Sequence, residues 1–130
     1  MDAFAGRFAP YMLSVLRIIA ALLFIEHGTQ KILGFPEPPP AGFPTFLSLL
    51  WWQGAIELVG GLALLVGLGT RLVAFILAGD MAAAYWMVHA PKSFWPALNA
   101  GDAAILYCFV FLYIACAGGG AWSIDKHLKR

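Results

Sequence analysis

Four apolar stretches, at about 11–33, 47–68, 72–89 and 99–117, take up most of this sequence and constrain its fold more than any motif does. Each approaches the ~20 residues with which a helix crosses the hydrocarbon of a bilayer. Stretches of this length call for helices, and four crossings return the chain to the side on which it began. The expected fold class is all-α: a polytopic membrane protein, a bundle of four transmembrane helices in one domain over residues 1–130.

Composition argues against a soluble alternative. The 130 residues are 62% hydrophobic and 12% charged, with a mean hydropathy of +0.81. A soluble domain of this size hides about 60–70% of its surface, too little for such a chain, so the lipid bilayer is the first expected partner. The formal net charge is +1, and no basic run exceeds the tail Lys126-His127-Leu128-Lys129-Arg130. No nucleic-acid partner is expected. Arg7 before an apolar core resembles the start of a secretion signal, but Arg17 splits that core. Ile25-Glu26-His27-Gly28 then stands where a small-residue cleavage site would lie, so the segment reads as a retained span. Cys108 and Cys116 sit eight positions apart in one apolar stretch. About 12 Å of helical rise keeps them from joining each other.

The connections orient the bundle. Residues 34–46 are crowded with proline, which lacks an amide donor and favours extended backbone, so they form a loop outside the membrane. Residues 90–98 form the second loop on that side, whereas Gly69-Thr70-Arg71 makes a tight hairpin on the other. The hairpin side carries Arg7, Arg71, Lys126, Lys129 and Arg130, against Lys31 and Lys92 opposite. The positive-inside rule then puts both termini in the cytoplasm and both loops in the periplasm of a bacterial inner membrane.

Ionisable residues within spans are expensive and need a partner or a wet cavity. Arg17, Ala21, Phe24, Gly28 and Lys31 fall on one helical stripe, with His27 beside it and Glu26 on nearly the opposite face, where it can reach water at the interface. In the second span Gln53, Glu57 and Gly61 share a stripe. Gly28, Gly60 and Gly61 are the expected packing positions, because small residues let helices approach closely. Counted from the cytoplasmic ends, Arg17 lies ~9 Å deep, Asp80 ~13 Å and Glu57 ~18 Å. Those depths favour a buried ion network of Arg17, Glu57 and Asp80, either a lock on helix register or a working site. Two carboxylates around one cation would also tend to retain a proton between them. Asp102 reads as a first-turn acid of the fourth helix, with Asn99 as its cap. His27 and His89 lack the spacing of a ligand set, and no metal site is expected.

These residues in this order, Arg17, His27-Gly28-Thr29-Gln30-Lys31-Ile32, Glu57-Leu58-Val59-Gly60-Gly61, Thr70-Arg71 and Gly118-Gly119-Gly120-Ala121-Trp122-Ser123-Ile124-Asp125, resemble the DoxX family of small bacterial membrane proteins. The resemblance covers nearly the whole chain. It implies a four-helix membrane bundle linked to redox systems. One related group is the small subunit of thiosulfate:quinone oxidoreductases, and another member belongs to a membrane complex of thiol and oxidant defence. A eukaryotic receptor-assembly chaperone is similar at greater distance. Arg17, His27, Gly28, Lys31, Glu57 and Gly61 would be signature positions, with Ser123 and Asp125 closing the tail. No cofactor motif or cysteine pair accompanies them here. Physically, the three glycines end the fourth span, and Ser123 can cap a short basic segment at the anionic leaflet.

Three functions follow as expectations. The first is an accessory subunit of a membrane redox system that binds a quinone or another lipophilic ligand, using Arg17, Glu57 and Lys31 as polar groups. The second is a non-enzymatic assembly subunit whose charges pair with a membrane or redox protein. The third is transport of protons or small molecules by a homo-oligomer. The residues themselves carry no self-contained catalytic motif.

Overall fold

The computed structural model describes residues 2–129, and every regular element among them is helical. A short α1 (Asp2–Gly6) precedes α2 (Ala9–Leu33), α3 (Leu49–Val66) and α4 (Thr70–Ala84). Then come α5 (Pro96–Asn99), α6 (Asp102–Ala117) and α7 (Ile124–Leu128). α4 continues through a π turn, Tyr85–His89, and a 3-10 turn, Ala90–Lys92. Three helices, α2, α3 and this extended α4, are long and apolar enough to cross a membrane, while α6 is apolar but has only 16 residues. That is about 24 Å of rise, short of the ~30 Å hydrocarbon core.

Local chemistry sets the helix ends. α2 begins before residue 11 because Pro10, in its first turn, gives up no bond there. Its far end is closed by Gly34 in the left-handed region, whose amide reaches the carbonyls of Thr29 and Gln30. α3 starts at Leu49 and not at 47, since Ser48 Oγ accepts the amide of Trp51 at 3.3 Å. α6 starts at Asp102 and not at 99. Asn99 closes α5, and its Oδ1 takes the amide of Gly101 at 2.8 Å, so Gly101 occupies the cap position and Asn99 holds the turn before it. Asp102 does fall in the first turn of α6, exposed.

The helices associate as two pairs. α2 packs along α3 and α4 packs along α6, with less contact between α3 and α4 and very little between α2 and α6. Small residues set the register. A Cβ on Gly28 would lie 2.7 Å from the backbone nitrogen of Leu58, one on Gly61 2.7 Å from Ile25 Cγ1, and one on Gly60 2.8 Å from Leu77 Cδ2. Phe24, Leu64, Leu77, Phe111 and Ile114 fill the centre, and Phe24 meets Phe111 edge to face at 5.0 Å. The outer surface is as apolar as the core: Ile19, Leu22, Val59, Leu62, Phe75, Leu106 and Phe109 all face outward, the arrangement lipid permits and water does not.

The bundle has two ends of different make. The tail end gathers the start of α2, the Gly67–Thr70 turn, the end of α6 and α7. The loop end gathers the end of α2, the start of α3, the π turn and the start of α6.

Candidate functional site

Arg17, wholly buried, belongs to the tail end. Its Nε donates to the carbonyl of Gly119 at 2.9 Å, Nη1 to those of Leu64 at 2.6 Å and Leu65, and Nη2 to that of Trp122. Leu64 and Leu65 lie in the last turn of α3, where carbonyls have no partner within the helix and carry partial negative charge. The guanidinium therefore seals a helix end and binds the chain after α6 to it. The network of Arg17, Glu57 and Asp80 expected from the sequence does not form. α2 extends about two turns beyond the end of α3, so Arg17 is level with Gly67, where a Cβ would lie 3.2 Å from its Cζ. Glu57 is ten residues further along α3, about 15 Å away by helical rise, beyond the reach of an arginine. The helices do not start in a common plane, so equal counts from their ends do not give equal depths.

The rest of the tail end is also densely bonded, although the buried Thr70 Oγ1 has no partner among the described residues. Ser14 Oγ donates to the Gly119 carbonyl at 3.0 Å and accepts the Trp122 amide at 2.9 Å. Gly120, at φ 79°, passes so close that a Cβ would collide with Ser14 Oγ. Asp125 accepts the amides of Gly69 and Thr70 at 2.8 and 2.7 Å, and so caps α4 from the tail. Partial burial opposes its charge, yet the Thr70 and Gly69 donors, aided by Lys129, outweigh burial and hold the carboxyl below the usual aspartate range. Ser123 Oγ accepts the Lys126 amide at 3.3 Å and caps α7.

The loop end is built differently. Lys31 Nζ donates to both oxygens of Glu57, at 2.8 and 2.9 Å. Glu57 is 1% exposed, whereas the Lys31 side chain keeps 21% of its surface accessible. This pair lies on the wall of a cleft of about 300 Å³ between the two helix pairs, lined also by Phe24, His27, Gln53, Met81, His89 and Tyr107. His27 and Tyr107 meet edge to face with ring centroids 6.5 Å apart, and Tyr107 continues into the stack with Phe111. His89 is fixed by Nδ1 at 2.9 Å from the Asn99 carbonyl oxygen. The side chains of His27, Gln53 and Tyr107 enter none of the hydrogen bonds among the described residues.

Asp80 lies near this cleft without lining it. Gly60 meets Leu77, so one turn on Asp80 is level with Glu57 across the α3–α4 seam, and its buried Oδ2 has no partner among the described residues. Glu26 and Asp102 are exposed and are not among the residues lining the cleft. No group of three His, Cys, Asp or Glu residues that could hold a metal ion occurs among the described residues. Sequence reasoning missed Tyr107. Its signal was present, since Ala104, Tyr107, Phe111 and Ile114 follow helical spacing and form the inward stripe of α6.

Comparison with known proteins identifies the chain's relatives. The DoxX family model matches residues 12–90. This chain belongs to the DoxX family. An uncharacterized protein of Haemophilus influenzae is 42% identical over 129 residues, covering 95% of this chain and 96% of that one. The inner membrane protein YqjF of Escherichia coli is 30% identical over 131 residues, covering 89% and 91%. CatD of Bacillus subtilis, named provisionally as an oxidoreductase, is 27% identical over 120 residues, covering 89% and 86%. No solved structure matches. The DoxX match contains Arg17, His27, Lys31, Gln53, Glu57, Asp80 and His89, while Tyr107 and Asp125 lie beyond it. The chain is thus a DoxX-family membrane protein whose two ends differ: buried Arg17 is bonded to backbone carbonyls at one, and polar side chains without partners among the described residues line a cleft at the other.

Proposed function

We propose that this DoxX protein is an accessory subunit of a membrane redox system and that it binds a quinone, or a similarly flat lipophilic carbonyl compound, in the loop-end cleft. The carrying observation is an apolar cleft in which His27, Gln53 and Tyr107 have no internal hydrogen-bond partner and stand around the Lys31–Glu57 pair. About 300 Å³ falls at the lower bound of small-molecule sites, which are mostly apolar with a few orienting polar groups. A quinone head group makes those demands: an apolar slot for the ring and donors for its carbonyl oxygens. When bound, a quinone supplies reversible uptake of two electrons and two protons. Gln53 and Tyr107 would donate to the carbonyls, His27 would hold or deliver a proton, and Phe24 and Met81 would exclude water from the ring. Lys31 and Glu57 would keep the electrostatics of the cleft fixed. Arg17, named in the sequence-based form of this reading, has its donors committed elsewhere and takes no part.

In the membrane we read four crossings, α6 included. α5 and the Gly118–Gly120 run would extend the short helix towards both interfaces. The tail end, with Arg7, Arg71, Lys126 and Lys129, would face the cytoplasm, and the cleft would open towards the periplasm. Arg130, also counted in that charge, lies outside the described residues. The name of the E. coli relative supports a bacterial inner membrane. The test is titration of the purified full chain in nanodiscs with a short-chain quinone, together with organic extraction of the protein taken directly from membranes. Saturable binding, weakened by Tyr107→Phe and Gln53→Leu, is the expected result. No saturable binding and a quinone-free extract would sink the proposal.

A further inference from the structure

The tail end carries a second cleft, of about 710 Å³, which the seals described above do not fill. Arg71, Lys126 and Lys129 line its rim, and Leu72 and Tyr113 form apolar walls on α4 and α6. Arg71 is held in place because its Nη1 donates to the carbonyls of Ala115 and Cys116 at the end of α6. The guanidinium then lies beside Gly118, where a Cβ would stand 3.4 Å from Nη2. Its Nε and Nη2 enter no hydrogen bond among the described residues. Asp125 is the one carboxylate in the described lining, and both of its oxygens are occupied by the amides of Gly69 and Thr70. Three cations thus oppose one carboxylate already engaged elsewhere.

The position of the cleft adds to its charge. α2 and α4 begin here and α6 ends here, so the rim lies where apolar helices give way to polar chain. Below the rim, Leu72 and Tyr113 remain exposed, at 67% and 58%. A positive rim over apolar walls matches a molecule with a phosphate at one end and hydrocarbon at the other. We infer that this cleft binds the headgroup of an anionic phospholipid, with its phosphodiester on Arg71, Lys126 and Lys129 and its acyl chains along Leu72 and Tyr113. A fixed guanidinium presents paired donors to phosphate oxygens, and lysines add point charge. A zwitterionic headgroup would bring its own cation into a positive rim and bind less well. The inference is independent of the loop-end cleft, and neither depends on the other.

Native mass spectrometry of the full chain in neutral detergent tests it, using short-chain phosphatidylglycerol, short-chain phosphatidylcholine and sodium phosphate as probes. One phosphatidylglycerol should bind at least tenfold more tightly than phosphatidylcholine and resist displacement by inorganic phosphate. Lys126→Gln with Lys129→Gln, both exposed and with side chains in no hydrogen bond among the described residues, should weaken it roughly 30-fold, with melting in lipid-free detergent lowered by no more than Asp125→Asn lowers it. Arg71→Lys, which keeps the charge and loses the fork, should weaken it less. Equal binding of the two lipids, an unaltered affinity in the double lysine variant, or displacement by inorganic phosphate would each overturn the inference.

Discussion

The two ends of this bundle hold the same kinds of expensive group and treat them in opposite ways. At the tail end, Arg17 donates to four carbonyls, Asp125 accepts two amides, and Ser14 and Ser123 tie the glycine turn to α2 and α7. Every partner there is a backbone group near a helix end, and the Thr70 hydroxyl is the buried side-chain group left without one among the described residues. At the loop end, Lys31 and Glu57 have each other, and Asp80 Oδ2 has nothing among the described residues. Three further polar side chains face a cleft without internal partners. A buried charge satisfied by helix ends is a component of architecture. The polar groups around the loop-end cavity are the ones to which the proposed function gives an outside partner.

The contrast is breakable by substitution, and the largest effect is expected at Arg17. Arg17→Leu leaves four carbonyls without a donor at a buried joint, and hydrogen bonds to charged groups contribute about 1.5–3 kcal/mol each. Melting in detergent should fall steeply, by at least ~3 kcal/mol of stability, and a wild-type melting temperature would remove the tail end from its architectural role. Asp80 should behave in the opposite sense. Asp80→Leu removes a buried oxygen without a partner, a feature that costs about 1–3 kcal/mol, so the variant should melt at a higher temperature than the parent. A lower one would reveal a partner for Asp80 and extend the polar cluster of the loop end.

A smaller effect, visible through pH, belongs to Asp125. Its folded-state pKa is depressed, so its contribution is fully present above the ordinary aspartate value of about 4 and is lost as pH falls through the depressed folded value. Stability should be flat with respect to this group near neutrality and decline only in strong acid. Asp125→Asn should lower the melting temperature modestly at pH 7 and flatten the acid limb. An acid limb unchanged in that variant would mean that the α4 cap carries no such linkage.

How much of this was legible in the sequence follows from what each feature depends on. The helices were readable because apolar length is a local property, while their ends moved from the expected limits because Pro10, Ser48 and Gly67 set starts and stops that apolar length does not mark. The close glycine contacts of Gly28, Gly60 and Gly61 were legible for the same reason. The partners of Arg17 were not, because they are carbonyls, which every residue possesses and no sequence pattern marks. Its level against α3 also depends on the register that Gly28, Gly61 and Ile25 set, a property of two helices together. The Lys31–Glu57 pair required the same register, which puts Gly54 against Lys31 Cβ. Tyr107 could have been found on the inward stripe of α6, since its hydroxyl is the polar exception among alanine and phenylalanine.

The most direct measurement compares Lys31→Met combined with Glu57→Leu against wild type, for both melting and quinone titration in nanodiscs. Removing both members of a buried ion pair in favour of apolar groups is often neutral for stability. The expected result is a melting temperature close to wild type with quinone affinity reduced at least tenfold. Unchanged affinity, or a collapse of stability equal to that of Arg17→Leu, would contradict the division between buried charges bonded to helix ends at the tail end and a ligand-binding polar cluster at the loop end.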